Sequence, residues 1–171
     1  PIWYIPFMMI FIIGTVNAVN LTDGLDGLAS GVTLIVSCFF VLFAVSISNS
    51  DVAILAAATA GACLGFLGFN SYPAKVFMGD TGSMALGGAV VSFAVLTNSV
   101  LLIPIVGGIY FAEAISVIIQ VTSFRLTGKR VFKMAPIHHH FEQCGWPETR
   151  VVFVFWIATV VLAWIGIIAV F

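Results

Sequence analysis

Charge is what this chain has least of. Of its 171 residues, 6 are Lys or Arg and 7 are Asp or Glu, 8% in all, where an ordinary soluble domain carries about a quarter. With a hydrophobic content of 61% and a mean hydropathy of +1.19, too little polar surface remains for a water-solvated fold, and the chain reads as an integral membrane protein. With a net charge of −1, no nucleic-acid partner is expected. Cysteine is scarce too. Cys38, Cys63 and Cys144 show no paired spacing, which argues against a zinc site or a redox couple and leaves them as small hydrophobes. Pro1 opens inside an apolar stretch with no basic segment and no small-residue cleavage site. The expectation is the C-terminal part of a longer polypeptide, not a signal peptide and mature domain.

What the chain does have is long apolar runs. A hydrocarbon core about 30 Å thick asks for about 20 apolar residues per helix, and six runs answer, at residues 2–16, 28–47, 52–69, 82–97, 100–124 and 151–171. Runs this long favour helices over buried strands, and lipid obliges each backbone to satisfy itself. The predicted fold is an all-α polytopic bundle, a single transmembrane domain over residues 1–171 in a lipid bilayer. Pro104 and the Gly107-Gly108 pair predict that the fifth helix is bent or broken.

Six crossings put the connections at 17–27, 70–81 and 125–150 on one face. All the basic residues (Lys75, Arg125, Lys129, Arg130, Lys133 and Arg150) then share that face, while the opposite connections carry only Asp51. The positive-inside rule makes this face cytoplasmic. One helix more or fewer would scatter the cations over both faces. The same parity gathers Asp23, Asp26, Asp80 and His138 to His140 at one membrane surface.

Three stretches at that surface carry chemistry. In Asn17-Ala-Val-Asn-Leu-Thr-Asp-Gly-Leu-Asp-Gly27, continued helical turns would pair Asn17 with Asn20, Asn20 with Asp23, and Asp23 with Asp26 along one polar edge. Gly24 and Gly27 admit a second backbone or a ligand. A helix end with an Asx turn and an N-cap needs one such side chain, and four are present. The second stretch, Asn70-Ser-Tyr-Pro-Ala-Lys-Val-Phe-Met-Gly-Asp-Thr-Gly-Ser83, offers Asp80 either as an N-cap or as a magnesium ligand in a phosphate site. Lys75 is a point charge for phosphate or a snorkelling anchor, and Phe77 a stacking platform or an interface anchor. In the third, Ala135-Pro-Ile-His-His-His-Phe-Glu142, adjacent imidazoles diverge on an extended chain and chelate one metal poorly. Phosphate hydrogen bonding or proton transfer suits them better.

Glu113, inside the fifth run with Ser116 and Gln120 on its face, is either a functional intramembrane carboxylate or a hydrogen-bonded core residue. A transporter would gather such polar groups at mid-membrane from several helices. Here they collect at one surface instead.

Taken in order, the Asn17–Ala29 stretch, Pro73-Ala-Lys-Val-Phe-Met-Gly-Asp-Thr-Gly-Ser83, and Pro136-Ile-His-His-His-Phe-Glu142 with Gly145-Trp146 and Glu148 resemble the phospho-N-acetylmuramoyl-pentapeptide transferases. These belong to the bacterial polyprenyl-phosphate sugar-1-phosphate transferase superfamily. The segment from Glu113 to Gln120 also fits, so the resemblance covers nearly the whole chain. The histidine motif separates this family from relatives that use UDP-N-acetylglucosamine, the closest alternative reading. The resemblance implies magnesium-dependent transfer of phospho-N-acetylmuramoyl-pentapeptide from its UDP carrier to undecaprenyl phosphate, giving lipid I and UMP in the bacterial inner membrane. By the same resemblance Asp80 is the magnesium-binding aspartate and Asp23 an essential carboxylate beside the phosphates. Asn70, Phe77 and Asp26 resemble the uridine pocket, Asn17, Asn20 and Lys75 are further substrate-binding candidates, and Gln120 joins the catalytic His138, His139 and His140 at the sugar-phosphate end. Apart from the resemblance, a homodimer is a candidate assembly, since dimers are common where apolar helices outnumber internal partners. One departure stands: family members carry adjacent aspartates on an earlier cytoplasmic loop, and this chain has none. These residues alone are therefore expected to be inactive.

Overall fold

Each apolar run becomes a helix in the computed structural model, which describes residues 2–170. Pro1 and Phe171, the ends of the chain and of the last predicted run, lie outside the described residues. The helices are α1 (Tyr4–Thr22), α2 (Leu28–Ser46), α3 (Ser50–Asn70), α4 (Gly79–Leu96), α5 (Leu102–Val106), α6 (Gly108–Thr127), α7 (Ile137–Gln143) and α8 (Glu148–Val170). All but α5 and α7 are long and apolar enough to cross a membrane.

The structure moves the end of the first run, breaks the fifth run as predicted, and makes the histidine segment helical. First, α1 continues past residue 16 through Asn17 and Asn20 to Thr22. Two of its polar side chains bond back to their own helix: Asn17 Nδ2 donates to the Ile13 carbonyl at 2.8 Å and Thr22 Oγ1 to the Ala18 carbonyl at 2.8 Å. Second, the fifth run divides at Gly107 into α5 and α6, because Pro104 lacks a backbone donor and the glycine pair lets the chain turn. Third, the histidine segment is helical rather than extended. Pro136, with φ −61° and ψ 169°, precedes α7, and Phe141 seats it by stacking on Trp146 at 5.0 Å and meeting Phe155 edge-on at 5.9 Å.

Lipid tails are as apolar as leucine, so helices in a bilayer associate through close packing and polar contacts. α2 is the central post, with two-thirds of its spanning window buried. It forms a hairpin with α3 and packs against α8, while α1 packs against α4 and α6. Phe40 of α2 meets Phe93 of α4 at 5.6 Å, and the buried Thr33 and Tyr110 hydroxyls join α2 to α6 at 2.7 Å. The α1–α4 crossing is closer still. A methyl group on Gly87 would lie 2.8 Å from the Val16 Cα. These contacts bring the connections 23–27, 71–78 and 128–147 together at one end of the bundle.

Candidate active site

Asn70, the last residue of α3, ties that end together. Its Oδ1 accepts from the Gly27 amide and the Ser30 hydroxyl, both at 3.1 Å, and its Nδ2 donates to the Val76 carbonyl at 3.0 Å. The 71–78 loop is folded back by the Lys75 amide, which donates to the Phe69 carbonyl at 2.8 Å. Asp26 adds two more ties. Its Oδ2 accepts from the Ala74 amide at 2.8 Å, and its own amide donates to Glu148 Oε1 at 2.7 Å. The first turns of α2 and α8 and the end of α3 therefore share one hydrogen-bonded frame.

Within that frame lies a 240 Å³ cavity lined by Asp23, Gly24, Leu25, Asp26, Asn70, Phe77, Met78, Gly79 and Asp80. Five of the predicted site residues, from two separate connections, thus converge. Asp80 stands in the first turn of α4, but Met78 occupies the cap position and no side chain caps the helix; the predicted N-cap role is not realised. Asp80 instead faces Asn20, whose Nδ2 donates to Asp80 Oδ1 at 3.1 Å and to Ser83 Oγ at 2.9 Å. Asp23, half-buried where α1 ends, has its carboxyl raised to about 6 by burial first and then by the negative charge of Asp80. Phe77 lies at the cavity rim with its ring 76% exposed, open to a planar ligand.

These donors suit a hard divalent cation. Asp23 and Asp80 stand at one cavity wall with no cationic side chain lining it, and hard cations take carboxylate oxygens. Among the described residues no third His, Cys, Asp or Glu completes a cage. That fits magnesium, which keeps waters and bridges to phosphate oxygens.

Other predicted residues lie elsewhere. Asn17 bonds back to α1, and exposed Lys75 does not line the cavity. His138 is 1% exposed and sits behind the 23–27 turn, its Nδ1 3.0 Å from Oε2 of fully buried Glu113. His139 Nδ1 pairs with Glu142 Oε2 at 2.6 Å, and His140 Nδ1 accepts from the Lys133 amide at 3.1 Å. Gln120 braces the basic connection: its Oε1 accepts from the Val131 and Phe132 amides and its Nε2 donates to the Phe132 carbonyl. A larger groove of 400 Å³ beside it, lined by Gln120, Arg125, Arg130 and apolar side chains, holds neither carboxylate nor imidazole. Three partners escaped sequence reasoning: Ser83 on Asn20, Glu148 on the Asp26 amide, and Glu113 on His138. The first two had a signal, since both lie within or beside the motifs; the third joins residues 25 apart.

Residues 1–98 match the family model described as glycosyl transferase family 4. The chain belongs to glycosyl transferase family 4. The matched span of this family 4 chain contains the cavity's polar lining residues Asp23, Asp26, Asn70 and Asp80, and the aromatic Phe77. The chain is also similar over nearly its whole length to curated proteins named phospho-N-acetylmuramoyl-pentapeptide-transferase. The one from Clostridioides difficile (strain 630) is 81% identical over 171 residues, covering 99% of this chain and 53% of the relative. The one from Alkaliphilus metalliredigens (strain QYMF) is 66% identical over 168 residues, 98% of this chain and 51% of the relative. The Acetivibrio thermocellus protein is 59% identical over 167 residues, 97% and 51% respectively. The chain spans about half the length of the curated relatives it matches.

Proposed function

We propose that the full-length protein transfers phospho-N-acetylmuramoyl-pentapeptide from UDP-N-acetylmuramoyl-pentapeptide to undecaprenyl phosphate, forming lipid I and releasing UMP for peptidoglycan synthesis. The reaction takes place at the cytoplasmic face of a bacterial inner membrane. The observation that carries this reading is the meeting of Asp23, Asp26, Phe77 and Asp80 around one cavity at the basic end of a membrane bundle. The names of the similar proteins add to it.

Phosphoryl transfer depends on alignment and charge neutralisation more than on covalent chemistry by the protein. Asp80, with Asp23 beside it, would hold magnesium, which when bound neutralises the pyrophosphate oxygens and eases departure of UMP. Asn20 orients the Asp80 carboxylate through the 3.1 Å bond. Asp26 uses Oδ2 on Ala74, leaving Oδ1 to accept from a base N–H, and Phe77 presents its face to the same base. Asn70 has its amide oxygen and nitrogen engaged within the frame, so it shapes the cavity wall. A lipid-anchored acceptor also suits a site at the membrane surface, since its phosphate stays at that level while its tail lies in the bilayer.

The test is product formation by the full-length protein in detergent with undecaprenyl phosphate, magnesium and one of two donors. Lipid-linked product from UDP-N-acetylmuramoyl-pentapeptide alone is expected. Product from UDP-N-acetylglucosamine would instead assign a hexosamine-1-phosphate transferase, and none from either donor would reject transferase chemistry. Asp80→Asn should lower magnesium-dependent turnover by about a hundredfold or more; an unchanged rate removes its metal role.

A further inference from the structure

We propose that Glu113 is a positioning residue that acts on the cavity through His138. This inference rests on the reading that Asp23 and Asp26 serve the transfer reaction, and it adds a residue from inside the membrane-spanning part of α6.

Glu113 is fully buried and His138 is 1% exposed. The 3.0 Å separation of Nδ1 and Oε2 is that of a charge pair, yet the oxygen lies off the ring N–H direction, and neither side chain has a well-aligned hydrogen bond. Among the described residues no other basic group lies within ion-pair range of Glu113. Two apolar side chains would anchor α7 to α6 at lower desolvation cost, because a buried pair gives back in attraction little more than it loses in hydration. What the pair adds over apolar packing is an attraction between two specific groups, which draws the imidazole toward α6 at contact distance.

The other edge of the ring meets the candidate site. A methyl group on Gly24 would overlap Nε2 and Cε1 of His138, so the imidazole lies directly against the backbone of the 23–27 turn. Asp23 precedes that glycine, and Asp26 follows it by two residues. A continuous path therefore runs from α6 through Glu113, His138 and Gly24 to Asp23 and Asp26, two of the three carboxylates lining the cavity. It also accounts for a histidine that belongs to the motif yet does not line the cavity: His138 supports the turn from behind.

The test uses the full-length protein, with Glu113→Gln, Gly24→Ala and their combination. Hydrogen exchange in detergent is expected to rise about tenfold for Glu113→Gln at residues 24–27 and 137–143, with connection 97–101 unchanged. The kcat should fall about tenfold or more while the donor KM stays within about threefold. Gly24→Ala pushes on the same contact from the other side, so the double variant should be no slower than the slower single one. Wild-type exchange and kcat in Glu113→Gln, or losses that multiply in the double variant, would overturn the proposal. If Glu113→Gln does not fold, Gly24→Ala decides: the same selective fall in kcat supports the strut, and wild-type behaviour rejects it. If the wild type turns over neither donor, the transferase reading fails and exchange alone decides whether Glu113 holds the turn.

Discussion

Asp23 is half-buried at the end of α1, where burial and the charge of Asp80 raise its carboxyl to about 6 from an ordinary 3.8. Between those two values the folded protein holds more protons than the unfolded chain, so stability falls as pH rises through that window and stays lower above it. Asp23→Asn removes the ionisation without removing any hydrogen bond of the frame. Its thermal midpoint at pH 7.5 without magnesium should rise by a few degrees while transfer activity is lost; a lower midpoint would contradict the burial argument. The ionised form is the one able to serve a cation. Turnover at limiting magnesium should therefore fall as pH drops through about 6, and saturating magnesium should move that limb to lower pH. At this scale the sequence was informative about chemistry and silent about wiring. Asp23, Asp26, Phe77 and Asp80 were legible because carboxylates and an exposed ring stood out in a chain of 8% charge. The structural duty of Asn70 was not, because its three partners come from positions scattered along the chain.

At the scale of elements, the spans were legible and their ends were not. Apolar runs announce a helix, but Asn17 and Asn20 sit in α1 because a helix tolerates polar residues that find a partner, Asn17 on its own helix and Asn20 on α4. α7 escaped for a different reason: seven residues are too few to form a helix unaided, and the packing of Phe141 on Trp146 and Phe155 is a tertiary event. The α1–α4 crossing gives this scale its own prediction. Gly87→Ala would press a methyl group on the Val16 backbone, which cannot rotate away, so the helices must part. A stability loss of about 1–3 kcal/mol is expected. The magnesium concentration for half-activation should also rise, because parting α1 from α4 lengthens the Asn20–Asp80 bond. Wild-type magnesium dependence in a destabilised Gly87→Ala protein would show that the crossing does not set that bond.

For the whole molecule, the three cysteines report which end faces which compartment. Cys144 is exposed on the α7–α8 connection, Cys63 is buried, and Cys38 faces outward from the spanning helix α2. A membrane-impermeant maleimide should therefore modify Cys144 alone, in inside-out vesicles and not in intact cells. Labelling of intact cells would reverse the proposed orientation. The gathering of Lys and Arg at one end was visible in the sequence by parity alone, since it needs only a correct number of crossings. Which carboxylates meet there was not, since that depends on how the three connections fold against one another. The opposite end differs in kind. Its links, 47–49 and the 97–101 segment leading into α5, are tight turns with Ser48 and Asn98 at positive φ and no carboxylate pair between them. A molecule confined to that side finds almost nothing to grip. In the proposed orientation, an antibiotic aimed at the Asp80 cavity would have to be membrane-permeant or carried across first, and a resistant cell could protect the protein by keeping the drug out, without altering one residue of the site.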